Sequence, residues 1–282
     1  RALDRLRDEA AQSSEPMKRV PARRGEVVVV ALSGGRDSMA LLDAAARLAR
    51  VRGSGIRRLL AVHVHHGLSP HADDWLAHCE AECAARDVPL VARHVEVRRR
   101  GRGIEAAARE ARYGALAEAA RDAGARIVLT AHHREDRLET FLIQWLRGAG
   151  VDGLAAFPPS RSFGGDLLLV RPFVEVARSA IEEYLAAYGV GYVEDESNDE
   201  QALLRNAIRA DVMPRLDALR PGFRAAAARS IDLVAEAAEA LRSSAASDLA
   251  QASDGAPEGM LWIDRITALP LARQTALVRA WL

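Results

Sequence analysis

The chain has 282 residues, 49% hydrophobic and 28% charged, and its 39 cationic and 39 acidic side chains leave a formal net charge of zero. That suits a soluble protein with one large α/β domain and a smaller element beside it. It excludes a protein that grips nucleic acid by bulk charge alone, and no apolar run reaches the ~20 residues that cross a bilayer. In chain order, Arg1–Ala10 is charged rather than signal-like, which predicts a cytoplasmic protein, and the missing initial Met predicts a fragment of a longer one. Val27–Leu32 is a continuous, β-branched apolar run of the kind that forms a central parallel strand. It stops at Ser33-Gly34-Gly35-Arg36-Asp37-Ser38, and a helical pattern begins at Met39 with Leu41, Leu42, Ala45 and Leu48 on one face. Arg57–Val64 reads as a second strand with His65–Pro70 as its loop, Asp73–Arg86 as a helix and Val88–Val97 as another strand.

Cys79 and Cys83, the only cysteines, stand one helical turn apart and read as small residues packed on a helix face. Two thiols cannot hold an iron–sulfur cluster, which takes about four ligands, and no disulfide framework is visible. A basic loop, Arg98–Arg100 with Arg102, leads past Gly101 and Gly103 into an Ala-rich helix, Ile104–Ala123. The loop can meet RNA phosphates or stay merely solvated. Almost every cation is arginine, Lys18 being the only lysine. Arginine suits phosphate and base recognition, but codon usage explains the same bias. Ile127–Ala131 is a buried strand ending in His132 and His133, followed by a helix over Glu135–Leu146 and a Gly-rich exit, Gly148–Gly153. Pro158-Pro159 and Gly164-Gly165 mark a loop, Leu167–Val170 an edge strand, and Ala177–Tyr188 and Leu203–Leu219 helices. Phe223–Leu249 reads as one long helix, Ser253–Glu258 as a polar break and Met260–Leu282 as a helical unit cut short by the chain end. Strands alternating with helices predict a doubly wound parallel sheet, followed by a helical C-terminal region, with ligands outside the carboxyl ends of the strands.

A strand running into a Gly-rich turn that opens a helix is a ready anion site, because backbone N–H groups point outward and the helix dipole adds positive potential. Gly34 and Gly35 are expected to let the backbone approach a phosphate and adopt positive φ. Ser33 and Ser38 can donate hydroxyl hydrogen bonds, while Asp37 makes sense holding a Mg²⁺ that bridges phosphates. No Lys-Ser/Thr follows the second glycine and the glycine spacing is not that of a dinucleotide fold, so neither a Walker A loop nor a dinucleotide fingerprint is present.

Ser33-Gly34-Gly35-Arg36-Asp37-Ser38 resembles the S-G-G-x-D-S loop of the N-type ATP pyrophosphatases. Further blocks resemble one branch, the tRNA(Ile)-lysidine synthetase family. They are His63-Val64-His65-His66-Gly67-Leu68 with Asp73, Ala108-Arg109-Glu110-Ala111-Arg112-Tyr113, and Thr130-Ala131-His132-His133 with Asp136 and Glu139-Thr140. Arg147-Gly148-Ala149-Gly150 with Gly153-Leu154, Arg171-Pro172, and Asp195-Glu196-Ser197-Asn198 with Arg205-Asn206 follow in the family's order. Glu135 and Arg137 depart from the family's Asp and Gln, which moves weight to Asp136. Leu269-Pro270, Arg273 and Arg279-Ala280-Trp281-Leu282 resemble the start of a helical substrate domain.

The resemblance implies an adenine nucleotide alpha hydrolase-like fold, ATP and Mg²⁺ as cofactors, and a ligase acting in the cytoplasm on the isoleucine tRNA with a CAU anticodon. L-lysine is the second substrate, no membrane is involved and a homodimer is allowed. It divides the chain into an N-terminal extension (residues 1–24), a catalytic domain (25–215), a helical linker (216–258) and the start of a truncated helical substrate-binding domain (259–282). ATP falls to Ser33, Gly34, Gly35, Arg36, Asp37 and Ser38, with Asp37 the Mg²⁺ ligand. Asp37, Arg112, His132 and Asp136 are the expected catalytic set. Arg112 and Arg109 would reach phosphate or the activated base; the plainer alternative is a solvated helix face. His132 would bond phosphate or move a proton, and Asp136 would place Mg²⁺ or the lysine ammonium; the alternative is a satisfied strand-end His and a helix-dipole carboxylate. Arg205, with Arg209 behind Glu194–Asp199, would help recognise tRNA or lysine, against an ordinary mixed-charge surface. His63, His65, His66 and His71 suit loop contacts to adenine or RNA better than a metal. Competing readings are a tRNA thiolase with the same loop and a non-catalytic RNA-binding module of the same fold.

Overall fold

The computed structural model describes residues 25–67, 69–96, 104–194 and 200–282. Six strands, β1 (Glu26–Ala31), β2 (Ile56–His65), β3 (Leu90–His94), β4 (Ile127–Leu129), β5 (Ser160–Phe163) and β6 (Leu167–Val170), form one sheet in the order β3-β2-β1-β4-β6-β5. All pairs are parallel except the antiparallel hairpin β5–β6. The apolar run in β1 follows from its central position. Val28 and Val30 face one core and Val27 and Val29 the other, so both faces are buried and no polar alternation survives.

The first core packs α1 (Arg36–Ala49), α2 (Ala72–Ala85) and a helix from the far side of the chain, α6 (Arg178–Tyr188), through Met39, Leu42, Cys79, Cys83, Ile181 and Leu185. The opposite face takes α3 (Ile104–Asp122) through Ala115, Leu116, Ala119 and Ala120. In chain order, α3 is followed by α4 (Arg134–Leu146) and the single turn α5 (Val151–Leu154). The sheet is thus doubly wound, and the chain reverses direction across it between β1 and β4. Ligands of such sheets settle at that crevice.

Three expectations are corrected. Leu167–Val170 is not an edge strand: it lies between β4 and β5, and its buried Leu167 and Leu169 fit that interior place. The edge is Ser160–Phe163, expected as loop, which pairs with β6 through a turn whose Gly164 and Gly165 both take positive φ. Its polar Ser-Arg-Ser carries no strand periodicity, so only the partner strand makes it one. The helix after the phosphate loop also opens at Arg36 rather than Met39.

Contacts divide the chain into two compact units. One holds the described residues through Glu139 and Pro158–Arg215; the other holds Thr140–Phe157 and Leu216–Leu282. In the first, α7 (Glu200–Ala207) runs into a π-helical stretch, Ile208–Val212; the next helix, α8 (Met213–Leu219), carries the chain across the boundary at Leu216. In the second, α9 (Phe223–Ser253) buries Ile231, Ala238, Ala245 and Ala252, seven residues apart each time, along one seam. The chain then ends in α10 (Ile263–Thr267) and α11 (Leu271–Trp281).

Candidate active site

An open cavity of about 1170 Å³ lies at the carboxyl ends of β1, β2 and β4 and is lined by the phosphate loop, His63, Arg112, Tyr113, His132 and Asp136. The loop is built by its own hydroxyls. Ser38 Oγ donates to the Gly35 carbonyl at 2.9 Å and accepts the Ser33 N–H at 3.2 Å, and the two hydroxyl oxygens stand 3.1 Å apart. Gly34 takes φ +87, and a Cβ there would meet Val193 Cγ2 at 3.1 Å and Cys79 Sγ at 3.2 Å. Gly35 does not share that conformation: it caps α1 at φ −72, correcting the expectation of positive φ at both glycines. Arg36, Asp37 and Ser38 form the first helical turn, so their N–H groups have no earlier carbonyl of the helix to bond. Such a helix opening is a ready seat for an anion.

The Arg36 side chain turns elsewhere. Its guanidinium donates to Glu182 at 2.6 Å, lies 3.6 Å from Glu194 and stands 5.3 Å from the centre of the Tyr192 ring. The same segment bonds the loop directly, Val193 N–H donating to the Gly34 carbonyl at 3.0 Å. A strap therefore ties the phosphate loop to the chain beyond α6.

His133, which the sequence reading left without a role, is the hub of the acidic half. It is 2% exposed, with Nδ1 3.2 Å from Glu135 Oε2 and Nε2 3.7 Å from Asp37 Oδ2 and 3.6 Å from Asp136 Oδ2. Asp136 also accepts the His133 N–H at 3.0 Å, and Glu135 accepts the Arg178 N–H at 2.9 Å. Burial pushes the His133 pKa down, but the three carboxylates outweigh it and raise the value. Burial raises Asp37 despite His133 beside it. Burial also works to raise Glu135, yet its bonds with His133 and the Arg178 amide win and hold it down at about 2. Asp37 Oδ1 is buried with no hydrogen-bond partner among the described residues.

His132 lies 3.1 Å from Thr130 Oγ1, and its pKa is pushed down to about 4, by burial first and then, against Asp136, by Arg171, Arg109 and Arg112. That shift favours the neutral imidazole at neutral pH. Arg112 and Tyr113 line the cavity; Arg109 is exposed one turn away, over the same Tyr113 ring, and Arg205 is not in the lining. Arg205 and Arg209 instead meet buried Glu139: Arg209 forks onto it at 2.8 and 2.9 Å, Arg205 stands 3.6 Å away, and Arg209 reaches 3.9 Å from Asp136.

His63 is buried and donates from Nδ1 to the Leu32 carbonyl at 3.0 Å, with Cys79 Sγ at 3.6 Å. His65 pairs with Asp73 at 3.0 Å and stacks against His94. Among the described residues no three His, Cys, Asp or Glu side chains stand in metal-holding geometry. Burial pushes the thiols of Cys79 and Cys83 up to about 12 and about 11, the reverse of what sulfur transfer asks. The basic loop Arg98–Arg100 with Arg102, Leu68, and Asp195–Asn198 lie outside the described residues.

A sequence profile described as the PP-loop domain matches residues 7–216. The chain is 45% identical over 256 residues to a tRNA(Ile)-lysidine synthase of Ralstonia nicotianae, covering 90% of this chain and 54% of that protein. It is 42% identical to the synthase of Chromobacterium violaceum and 41% to that of Salmonella paratyphi B, again over 90% of this chain and 56% and 58% of theirs. It thus spans about half the length of the curated relatives it matches. Among solved structures, the U34-tRNA thiolase NcsA of Methanococcus maripaludis, solved with its [4Fe-4S] cluster, superposes with a TM-score of 0.69 at 13% identity, covering 83% of this chain and 80% of that one. At that identity the likeness is one of fold alone. No helix among the described residues is long and apolar enough to cross a membrane.

Proposed function

The chain belongs to the PP-loop domain family, and on that premise we propose that it carries the catalytic domain, residues 25–215, of a tRNA(Ile)-lysidine synthetase. The observation that carries the proposal is the meeting, in one cavity, of the phosphate loop with Arg112, His132 and Asp136 from separate elements. The 41–45% identity to lysidine synthases supports that branch over a thiolase, as do the protonated, buried cysteines.

In this reading the amides of Ser33–Ser38 and the α1 dipole hold the ATP phosphates. O2 of the wobble cytidine attacks the α-phosphorus and pyrophosphate leaves. The lysine ε-ammonium gives up a proton, the neutral amine attacks C2, a carbon–nitrogen bond forms and AMP departs. Arg112 compensates charge that develops on the phosphoryl oxygens. Neutral His132 offers a nitrogen to a phosphate or a transferring proton, and Asp136 steadies the ammonium of the incoming lysine. Arg109 and Arg205 contribute from the surface to tRNA and amino-acid recognition.

Mg²⁺ fits the residues present. Asp37 and Asp136 both line the cavity, Asp37 keeps a buried Oδ1 without a hydrogen-bond partner among the described residues, and a cation that keeps most of its ligands as water and phosphate needs only one or two carboxylates. When bound it would neutralise phosphate charge and orient the leaving group. The test is pyrophosphate release from ATP with isoleucine tRNA bearing CAU and labelled lysine. Release that needs both, with lysine entering the tRNA, is expected. Release indifferent to the tRNA, or tRNA-dependent release without lysine entry, overturns the proposal.

A further inference from the structure

Three guanidinium groups converge on one ring. Arg109, Arg112 and Arg161 place their Cζ atoms 5.4, 5.7 and 5.5 Å from the centre of Tyr113, and Phe163 meets the same ring edge-on at 5.6 Å. A fourth cation, Arg171, is buried beside them. Its pKa is pushed down to about 10 by burial, while Tyr113 works to hold it up and Arg161 and Arg109 lower it further. The sheet explains the gathering. Arg171 follows the last residue of β6, and β5 runs antiparallel, with Ser160 opposite Val170 and Arg161 opposite Leu169. The hairpin thus delivers Arg161 to the ligand-binding end of the sheet.

In a chain of zero net charge, four arginines around one tyrosine make a local field that favours an anion. Tyr113 lines the cavity, whereas Arg109 and Arg161 do not; both are exposed, and no carboxylate among the described residues pairs with either. Their heads are held over an aromatic face yet keep their outer N–H groups for a ligand arriving from solvent.

We infer that Arg109 and Arg161, organised by Tyr113, form a platform at the cavity's edge that takes backbone phosphodiesters of the RNA flanking the reacting base. This rests on the tRNA reading above but concerns binding rather than chemistry. The ATP triphosphate shares the same chemistry, but the amides of the phosphate loop are the nearer seat for it.

The test measures equilibrium binding of an anticodon stem-loop RNA bearing CAU to the 282-residue chain across salt concentrations, without ATP. One lost phosphate contact in a single strand removes about 0.7 from the slope of log K against log salt, which is about fivefold in affinity near 0.1 M. Arg161→Ala and Tyr113→Leu should each show that loss for CAU and scrambled loops alike, and Tyr113→Phe, which keeps the ring, should retain most of the affinity. ATP affinity should be unchanged in Arg161→Ala. Unchanged RNA affinity and slope in Arg161→Ala, or no RNA binding by the parent chain, overturns the platform. Weakened ATP binding with intact RNA binding overturns it in favour of the triphosphate. Because lysine entry is measured separately, failure of the platform leaves the lysidine reading standing, and failure of that reading leaves RNA binding by the platform standing.

Discussion

His133 sits where two carboxylates from different parts of the chain would otherwise repel. Asp37 opens α1 and Asp136 opens α4, and both face the same imidazole nitrogen. The raised pKa favours the charged form of the ring, which holds the pair together, while Asp37 Oδ1 stays without a hydrogen-bond partner among the described residues. Asp37→Ala should therefore retain its fold, seen as an unchanged far-ultraviolet spectrum, while pyrophosphate release falls at least about a hundredfold. Normal release would remove the cation role. Glu135 anchors the other side of the ring, and its depressed pKa has a consequence for stability. A carboxylate at about 2 folded and 4.5 unfolded contributes fully above pH 4.5 and loses its contribution as pH falls toward 2. Denaturant titrations of Glu135→Gln and the parent should differ by on the order of 2–3 kcal/mol at pH 7 and converge near pH 2. A difference constant with pH would mean that Glu135 acts by shape alone.

At the scale of elements, the phosphate loop is held from three sides: its own hydroxyls, α2 through Cys79, and the strap Tyr192–Glu194. The two glycines have different tasks, and substitution should separate them. Gly34→Ala forces a side chain into left-handed backbone and against Val193 and Cys79, so a loss of about 1–2 kcal/mol and at least tenfold weaker ATP binding are expected. Gly35→Ala meets nothing closer than 3.5 Å at an ordinary φ, and its stability should stay within about 0.5 kcal/mol of the parent. Equal losses in thermal denaturation would refute that division. Arg36 tests the strap. Its ion pairs are partly exposed, so Arg36→Ala should cost less than about 1 kcal/mol in stability yet weaken ATP binding severalfold, because the pairing of Val193 with Gly34 loosens. Unaltered ATP affinity by calorimetry would show that the strap does not shape the loop.

At the scale of the molecule, the anion-binding elements and the acidic hub belong to one compact unit, and α9 with α11 belongs to the other. ATP with Mg²⁺ at about a hundred times its Kd adds roughly 2.7 kcal/mol to what it binds. Amide exchange should consequently slow in β1, α1 and the strap and stay unchanged in α9 and α11. Protection appearing only in the second unit would put the nucleotide somewhere other than the phosphate loop.

Much of this was legible in the residues. The apolar run of β1, the Gly-rich turn and the helix after it are local features, set by side-chain period and glycine freedom within a few residues of one another. They predicted the doubly wound sheet and the loop, whereas His132 and Asp136 were singled out by the family resemblance. The sequence alone did not reveal His133 as a hub, Glu139 as the seat of Arg209, or Arg161 beside Tyr113. Those contacts join residues tens of positions apart, and charge pairing carries no periodicity for a reader to find. The edge strand β5 was hidden for a related reason, since a four-residue polar segment becomes a strand only when β6 supplies its hydrogen bonds. Local chemistry determined the elements and the anion site. Which charges meet, and hence which pKa values move, was decided by the packing of the sheet, because burial and proximity exist only once distant segments are brought together.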